Sequence, residues 1–154
     1  MKDVSSLHGA YLIFLLFLSG CQADPNAYRY PSEKPNEREF VGSWTVKPDR
    51  VASSITLNKD GTFRANGLPS NELADIGLPQ AELHGHGRWA LKSSQDFWVL
   101  GLDWEFIEGT DIRLKSMLHI VGAANNWKIL KTRGDPDEGR TVEFQKQSKS
   151  KEAN

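Results

Sequence analysis

Residues 97–108 alternate in a way that leaves few folds open. Trp98, Leu100, Leu102, Trp104 and Phe106 fall on one side of an extended chain, and Val99, Gly101, Asp103 and Glu105 fall on the other. A helix would scatter those aromatics around its circumference. A strand gathers them, so the period of two marks a half-buried strand. The next run repeats the pattern, with Ile112, Leu114, Leu118 and Ile120 set against Arg113, Lys115 and His119. Glu108-Gly109-Thr110-Asp111 between the two runs carries turn chemistry, which predicts an antiparallel hairpin.

The same logic extends in both directions. Ser54-Ile55-Thr56-Leu57 and Thr62-Phe63-Arg64-Ala65 flank Asn58-Lys59-Asp60-Gly61, whose Asp-Gly pair suits a tight turn. Lys128-Ile129-Leu130-Lys131 and Arg140-Thr141-Val142-Glu143-Phe144 flank the loop Gly134-Asp135-Pro136-Asp137-Glu138-Gly139. Residues 40–46 read as an opening strand and residues 87–91 as another, while only residues 71–76, between Pro69 and Pro79, suit a turn or two of helix. About eight short strands at near-regular spacing predict an all-β fold, an antiparallel up-and-down barrel. Closing the sheet also removes its edges.

Ahead of this lies a different kind of sequence. Lys2 precedes the apolar run Ala10-Tyr11-Leu12-Ile13-Phe14-Leu15-Leu16-Phe17-Leu18, and Ser19 and Gly20 then lead to Cys21. Charge, apolar run and small residues in this order form a signal peptide over residues 1–20, expected to be a signal helix. The run is too short for a permanent membrane span. Leu18-Ser19-Gly20-Cys21 resembles the lipobox of bacterial lipoproteins. That resemblance implies a diacylglyceryl thioether on Cys21, cleavage before it, and an acyl chain such as palmitate on the new amino terminus. A single acyl chain holds a protein only marginally, at about 0.8 kcal/mol per buried methylene, so several chains on one residue would be a lasting anchor. In lipoproteins of Gram-negative bacteria an Asp directly after the cysteine tends to retain the protein in the inner membrane. Gln22 lacks that mark, which points to the outer membrane; a Gram-positive source would place the protein on the outer face of its only membrane.

Residues 21–39 are polar, with Pro25, Pro31 and Pro35 and no hydrophobic period. They read as a lipid-anchored flexible tether, in which Tyr28 and Tyr30 are ordinary linker residues before they are groups that dock onto the domain or onto headgroups. Residues 40–147 form one domain, and residues 148–154 a frayed polar tail. Cys21 is the only cysteine, so no disulfide forms within the chain and no cysteine-based metal site exists. The formal net charge is −1 with both signs interspersed, which gives nucleic acid no basic patch to bind.

Val41-Gly42-Ser43-Trp44 resembles the Gly-x-Trp signature of lipocalins and related small barrels. There the tryptophan closes one end of the barrel and the glycine lets the strand approach closely. The hairpin around Asp60-Gly61, Gly67-Leu68-Pro69, and Gly134-Asp135-Pro136-Asp137 are similar to stretches of small bacterial lipoproteins. The resemblance covers residues 40–147. The second lipocalin signature, Thr-Asp-Tyr, is absent from the sequence. The arginine that packs over the tryptophan in lipocalins would correspond to Arg140. A barrel of eight strands is either packed solid or holds one small ligand.

Each candidate site competes with a plainer reading. His84 and His86 at strand period share a face with Glu82, a set that points to zinc only with a third or fourth ligand such as His119; solvated histidines between glycines are the plainer reading. Asp103 and Glu105 form a carboxylate pair of the kind used in glycoside hydrolysis, or simply two outward acids opposite Arg113 or Lys115. The acidic loop 134–139 lacks the alternating oxygen ligands of an EF-hand. Trp44, Trp89, Trp104 and Trp127 are the candidate ligand-binding residues, against the alternative that they are core. No cofactor and no catalytic set are expected. The expected function is that of a non-catalytic, lipid-anchored envelope binding protein, taking a small apolar ligand or an envelope partner at the barrel mouth. An inhibitor or immunity-type lipoprotein that blocks another protein is the alternative. A hydrolase, which needs His84, His86 or Asp103 in one cleft, is the third reading.

Overall fold

A computed structural model describes residues 29–46, 53–70, 82–132 and 141–147. Eight antiparallel strands close a barrel in chain order: β1 (Gly42–Val46), β2 (Ser54–Leu57), β3 (Thr62–Pro69), β4 (Glu82–Ser94), β5 (Phe97–Ile107), β6 (Lys115–Ala123), β7 (Asn126–Thr132) and β8 (Thr141–Lys146). Each strand pairs with its sequence neighbour, and β1 pairs with β8 through Trp44↔Lys146, Thr45↔Gln145 and Val46↔Phe144. The all-β barrel expected from the alternation is the fold observed. The leader, residues 21–28, the helical turn expected at 71–76, the acidic loop 134–139, Arg140 and the tail 148–154 lie outside the described residues.

The two ends of the barrel differ. Tight turns at 58–61, 95–96 and 124–125 gather at one, here the short-turn end; the connections 47–53, 70–81, 108–114 and 133–140 leave from the other, the loop end. At Asp60-Gly61 the turn forms as the sequence predicts. Gly61 takes φ +79°, and the Asp60 carboxylate accepts from the Thr62 amide at 2.9 Å and the Thr62 hydroxyl at 2.7 Å, which lowers the Asp60 pKa.

Alternation along β5 holds only as far as Trp104. His86 pairs with Phe106 and Gly87 with Trp104, so Glu105 is an extra residue in a β-bulge. The extra residue reverses the facing of everything after it. Ile107 turns into the core at 1% exposure and Phe106 turns out at 51%, opposite to the side the uninterrupted period assigns it. The bulge brings the β5 backbone against Gly85 and Gly87 of β4. A Cβ on Gly87 would stand 2.1 Å from the Asp103 carbonyl oxygen, and one on Gly85 would stand 2.2 Å from that of Phe106. The absent side chain at Gly87 also lets Phe63 of β3 meet Trp104 of β5 over the intervening strand, ring centroids 5.0 Å apart and edge to face.

Other boundaries shift too. β4 runs far beyond residues 87–91, and β6 begins only at Lys115, leaving Ile112 exposed in the loop while Leu114 is buried. The opening strand starts at Gly42, because residues 37–39 form a 3-10 turn whose Asn36 cap accepts from the Arg38 amide. Residues of all eight strands contribute to one core, with Trp44, Phe63, Leu100, Leu118, Ile120 and Phe144 at its centre. Burying each such side chain contributes about 1.5–3 kcal/mol. The ion pairs on the outer wall, Arg88–Glu105 and Lys92–Asp103 among them, are half-exposed and contribute at most about 1 kcal/mol each. The filled interior therefore holds the barrel together.

Candidate functional site

The segment before β1 is the part of the chain that the tether reading most underestimates. Residues 29–39 lie along the barrel as a strap. The Arg29 carbonyl accepts from the Gly122 amide at 2.9 Å, and the Pro31 carbonyl from the Trp98 amide at 3.2 Å. These amides stand where β5 and β6 have parted, since their ladder begins at Val99↔His119. Proline suits the position because it supplies an acceptor and needs no donor. Pro35 is buried, and Lys34 Nζ lies 5.8 Å from the Trp98 ring centre.

The strap ends as a plug in the short-turn end. Phe40 is fully buried and stacks on Trp44 and Trp127, both at 6.0 Å between centroids, and its carbonyl accepts from Trp44 Nε1 at 2.8 Å. Glu39 accepts from Trp127 Nε1 and from the Asn125 amide. Lys146 Nζ lies 5.8 Å from the Trp44 ring centre and donates to the Glu39 carbonyl. Among the described residues, Lys146 of β8 places a cation over the first-strand tryptophan. Beside the plug lies an open cleft of about 460 Å³, lined by Trp44, Trp127, Glu39, Gln145, Lys146 and the Asn125-Asn126 turn. Its lining is divided about equally between polar and apolar surface, with Lys128 on the same rim.

Trp89 and Trp104 are anchored by packing, and each also edges an open cleft, Trp89 beside Glu37, Arg38 and Lys59 and Trp104 beside Arg113 and Lys115. Trp89 is buried and donates to the Asn58 carbonyl at 2.9 Å, while Trp104 is buried and donates to Ser116 Oγ at 3.3 Å. Of the four expected to meet a ligand, the structure brings together Trp44 and Trp127, at the plugged end.

His84 and His86 share the outer face of β4, as their spacing predicts, yet each is engaged separately. His84 Nδ1 lies 2.8 Å from Asn66 Oδ1 at an irregularity of β3, and its Nε2 lies 3.7 Å from Glu82. The His86 ring stacks on Phe106 at 5.4 Å. Among the described residues no group of three or more His, Cys, Asp or Glu side chains is placed to hold a metal ion. Asp103 pairs with Lys92 at 3.2 Å and sits opposite Lys115, whereas Glu105 pairs with Arg88 at 3.3 Å. The bulge thus separates the two carboxylates onto different basic partners.

His119 sits elsewhere, on the outer face of β6. Its ring stacks on Phe97 at 5.7 Å and meets Tyr30 of the strap edge-on at 5.7 Å. Val99 and Leu130, its partners across the neighbouring strands, are buried although they face outward. Nδ1 of His119 is buried without a hydrogen-bond partner among the described residues, and burial, with Lys131 adding its charge, lowers the pKa below the usual histidine value.

Sequence reasoning missed Glu39, Phe40 and Lys146 as a unit, and missed the seat of Tyr30. The available signal was aromatic residues inside an otherwise polar stretch, with Phe40 directly ahead of Val41-Gly42-Ser43-Trp44. No protein-family model matches the chain, and neither a curated protein nor a solved structure matches it.

Proposed function

We propose that this chain is a lipid-anchored cell-envelope protein, held by acyl chains on Cys21, whose barrel is a lipocalin-like module that acts by binding and not by catalysis. The binding end is the loop end, from which the four longer connections leave the barrel. The observation that carries this reading is the filled interior. Phe63, Trp104, Leu118 and Phe144 occupy the space a ligand would need, so recognition falls to the rim and loops. A small apolar ligand at the barrel mouth is the second reading, favoured by the eight-stranded closure and the Gly-x-Trp opening. A module that blocks another protein, as an inhibitor or immunity-type lipoprotein does, is one form of the first reading. The outer membrane is the expected location, because Gln22 follows the cysteine.

The anchor is tested by Cys21→Ser, which is expected to abolish detergent-phase partitioning and the acyl mass on the amino terminus. Native mass spectrometry of the purified barrel after exposure to envelope lipid extract separates the two binding readings. The loop-end reading expects the bare mass, and a retained lipid overturns it in favour of the mouth.

A further inference from the structure

The strap fixes where the chain leaves the barrel. Arg29 is bonded to Gly122, two residues from the Ala124-Asn125 turn, so the chain towards Cys21 departs from the short-turn end. From the geometry we infer that the barrel stands on that end, with the loop end directed away from the bilayer in which Cys21 is anchored. The inference rests on the reading that Cys21 carries the lipid, and goes further by assigning the face turned to the membrane and the side from which a partner arrives.

Lengths decide it. Eight residue steps separate Cys21 from Arg29. Fully extended they reach at most roughly 28 Å. The nine residues of β6 span about 30 Å along the strand, or roughly 22 Å along the axis at the usual tilt. Bringing the loop end to the bilayer would lift Arg29 by at least that height and stretch the link nearly taut. Standing on the short-turn end costs no such extension. Had the whole segment to residue 39 been free, eighteen steps would have reached roughly 60 Å and allowed either orientation. Docking of the strap removes that freedom.

The side facing the bilayer then carries the Gln95-Asp96 and Ala124-Asn125 turns and the half-exposed ring of Tyr30, an amphipathic group suited to headgroups. The consequence for function is directional. Whatever the loop end recognises arrives from the aqueous side or from a facing structure, and not as a lipid drawn from the protein's own bilayer.

The test uses the full lipidated protein in vesicles of phosphatidylethanolamine and phosphatidylglycerol that carry a fluorescence acceptor on the headgroup. Single labels are placed at Ala124→Cys, in a turn of the short-turn end, and at Asp111→Cys, in the loop after β5; both positions are exposed. The Ala124 probe should lose most of its emission and the Asp111 probe should retain it. Equal losses, or a greater loss at Asp111, overturn the inference. Failure of the anchor reading is seen separately, as protein that does not float with the vesicles. A Gly-Ser insertion of roughly twenty residues between Tyr28 and Arg29 lengthens the link beyond the barrel height and should erase the difference between the two probes. An undiminished difference would show that link length does not set the orientation.

Discussion

Replacing Gly87 by alanine places one methyl group where the β5 backbone already lies. The new Cβ would stand 2.1 Å from the Asp103 carbonyl oxygen, 2.9 Å from the Glu105 amide nitrogen and 2.9 Å from Trp104 Cα. All three are main-chain atoms locked in a ladder, so the strands must part by about 1 Å, and Phe63 and Trp104 lose their contact over the gap. Overpacking of this kind costs about 1–3 kcal/mol or more, offset by the roughly 0.5–1 kcal/mol that alanine gains over glycine in a strand. A net loss of about 2 kcal/mol is expected, and in a domain of this size each kcal/mol lowers Tm by about 4–8 °C. Gly101→Ala is the matched control. Its Cβ would meet only the flexible end of Lys92, at 2.7 Å, which swings away at the cost of a half-exposed pair with Asp103. Urea unfolding followed by tryptophan emission measures both variants. The reasoning is refuted if Gly87→Ala unfolds within about 0.5 kcal/mol of the parent, or if Gly101→Ala costs as much.

Phe40→Ala should destabilise the barrel by about 3–5 kcal/mol, because it empties a fully buried ring site between two tryptophans; calorimetry and quenching of Trp44 and Trp127 check it. The lowered pKa of His119 predicts a pH effect. The neutral ring is favoured in the fold while the unfolded chain takes the proton first, so this contribution is complete above the usual histidine value of 6.5 and is lost as pH falls through and below it. Urea midpoints between about pH 7.5 and pH 5.5 should fall less steeply for His119→Phe than for the parent, and an unchanged slope rules the histidine out. Protonation also places a second positive charge near Lys131, so the protection of the Gly122 and Trp98 amides that hold the strap, taken relative to the intrinsic exchange rate at each pH, should fall over the same interval.

The alternation of Trp98, Leu100, Leu102 and Trp104 was enough to identify β5, and Asp60-Gly61 was enough to place its turn. Both rest on local chemistry that repeats at strand period. The bulge at Glu105 was harder to read, since an extra residue leaves no mark on the strand that contains it. Its signature lies on the partner strand, where Gly85 and Gly87 mark a close backbone approach. Read that way, His84-Gly85-His86-Gly87 owes its spacing to packing at the two glycines, with the histidines filling the outward positions. The strap was illegible for a different reason. Its attachment runs through the carbonyls of Arg29 and Pro31, which every residue type possesses, so no side-chain pattern announces it. The short-turn cluster was legible in part: Trp44 and Trp127 were visible as single aromatics and Phe40 lies just ahead of Trp44, but Trp127 and Lys146 are brought to Trp44 from distant parts of the chain.

The seam between β1 and β8 sets the timetable of folding. Trp44 and Lys146 are about a hundred residues apart in sequence, and the ladder that joins them completes the cylinder. The opening strand can pair with β2 at once, but its other edge waits until β8 is made. Joining such remote segments carries a large loop-closure penalty, so the finished state arrives late. On the envelope reading proposed above, a chain that crosses a translocation pore before it acquires shape gains from that delay: the stitch that would jam the pore is the last one sewn.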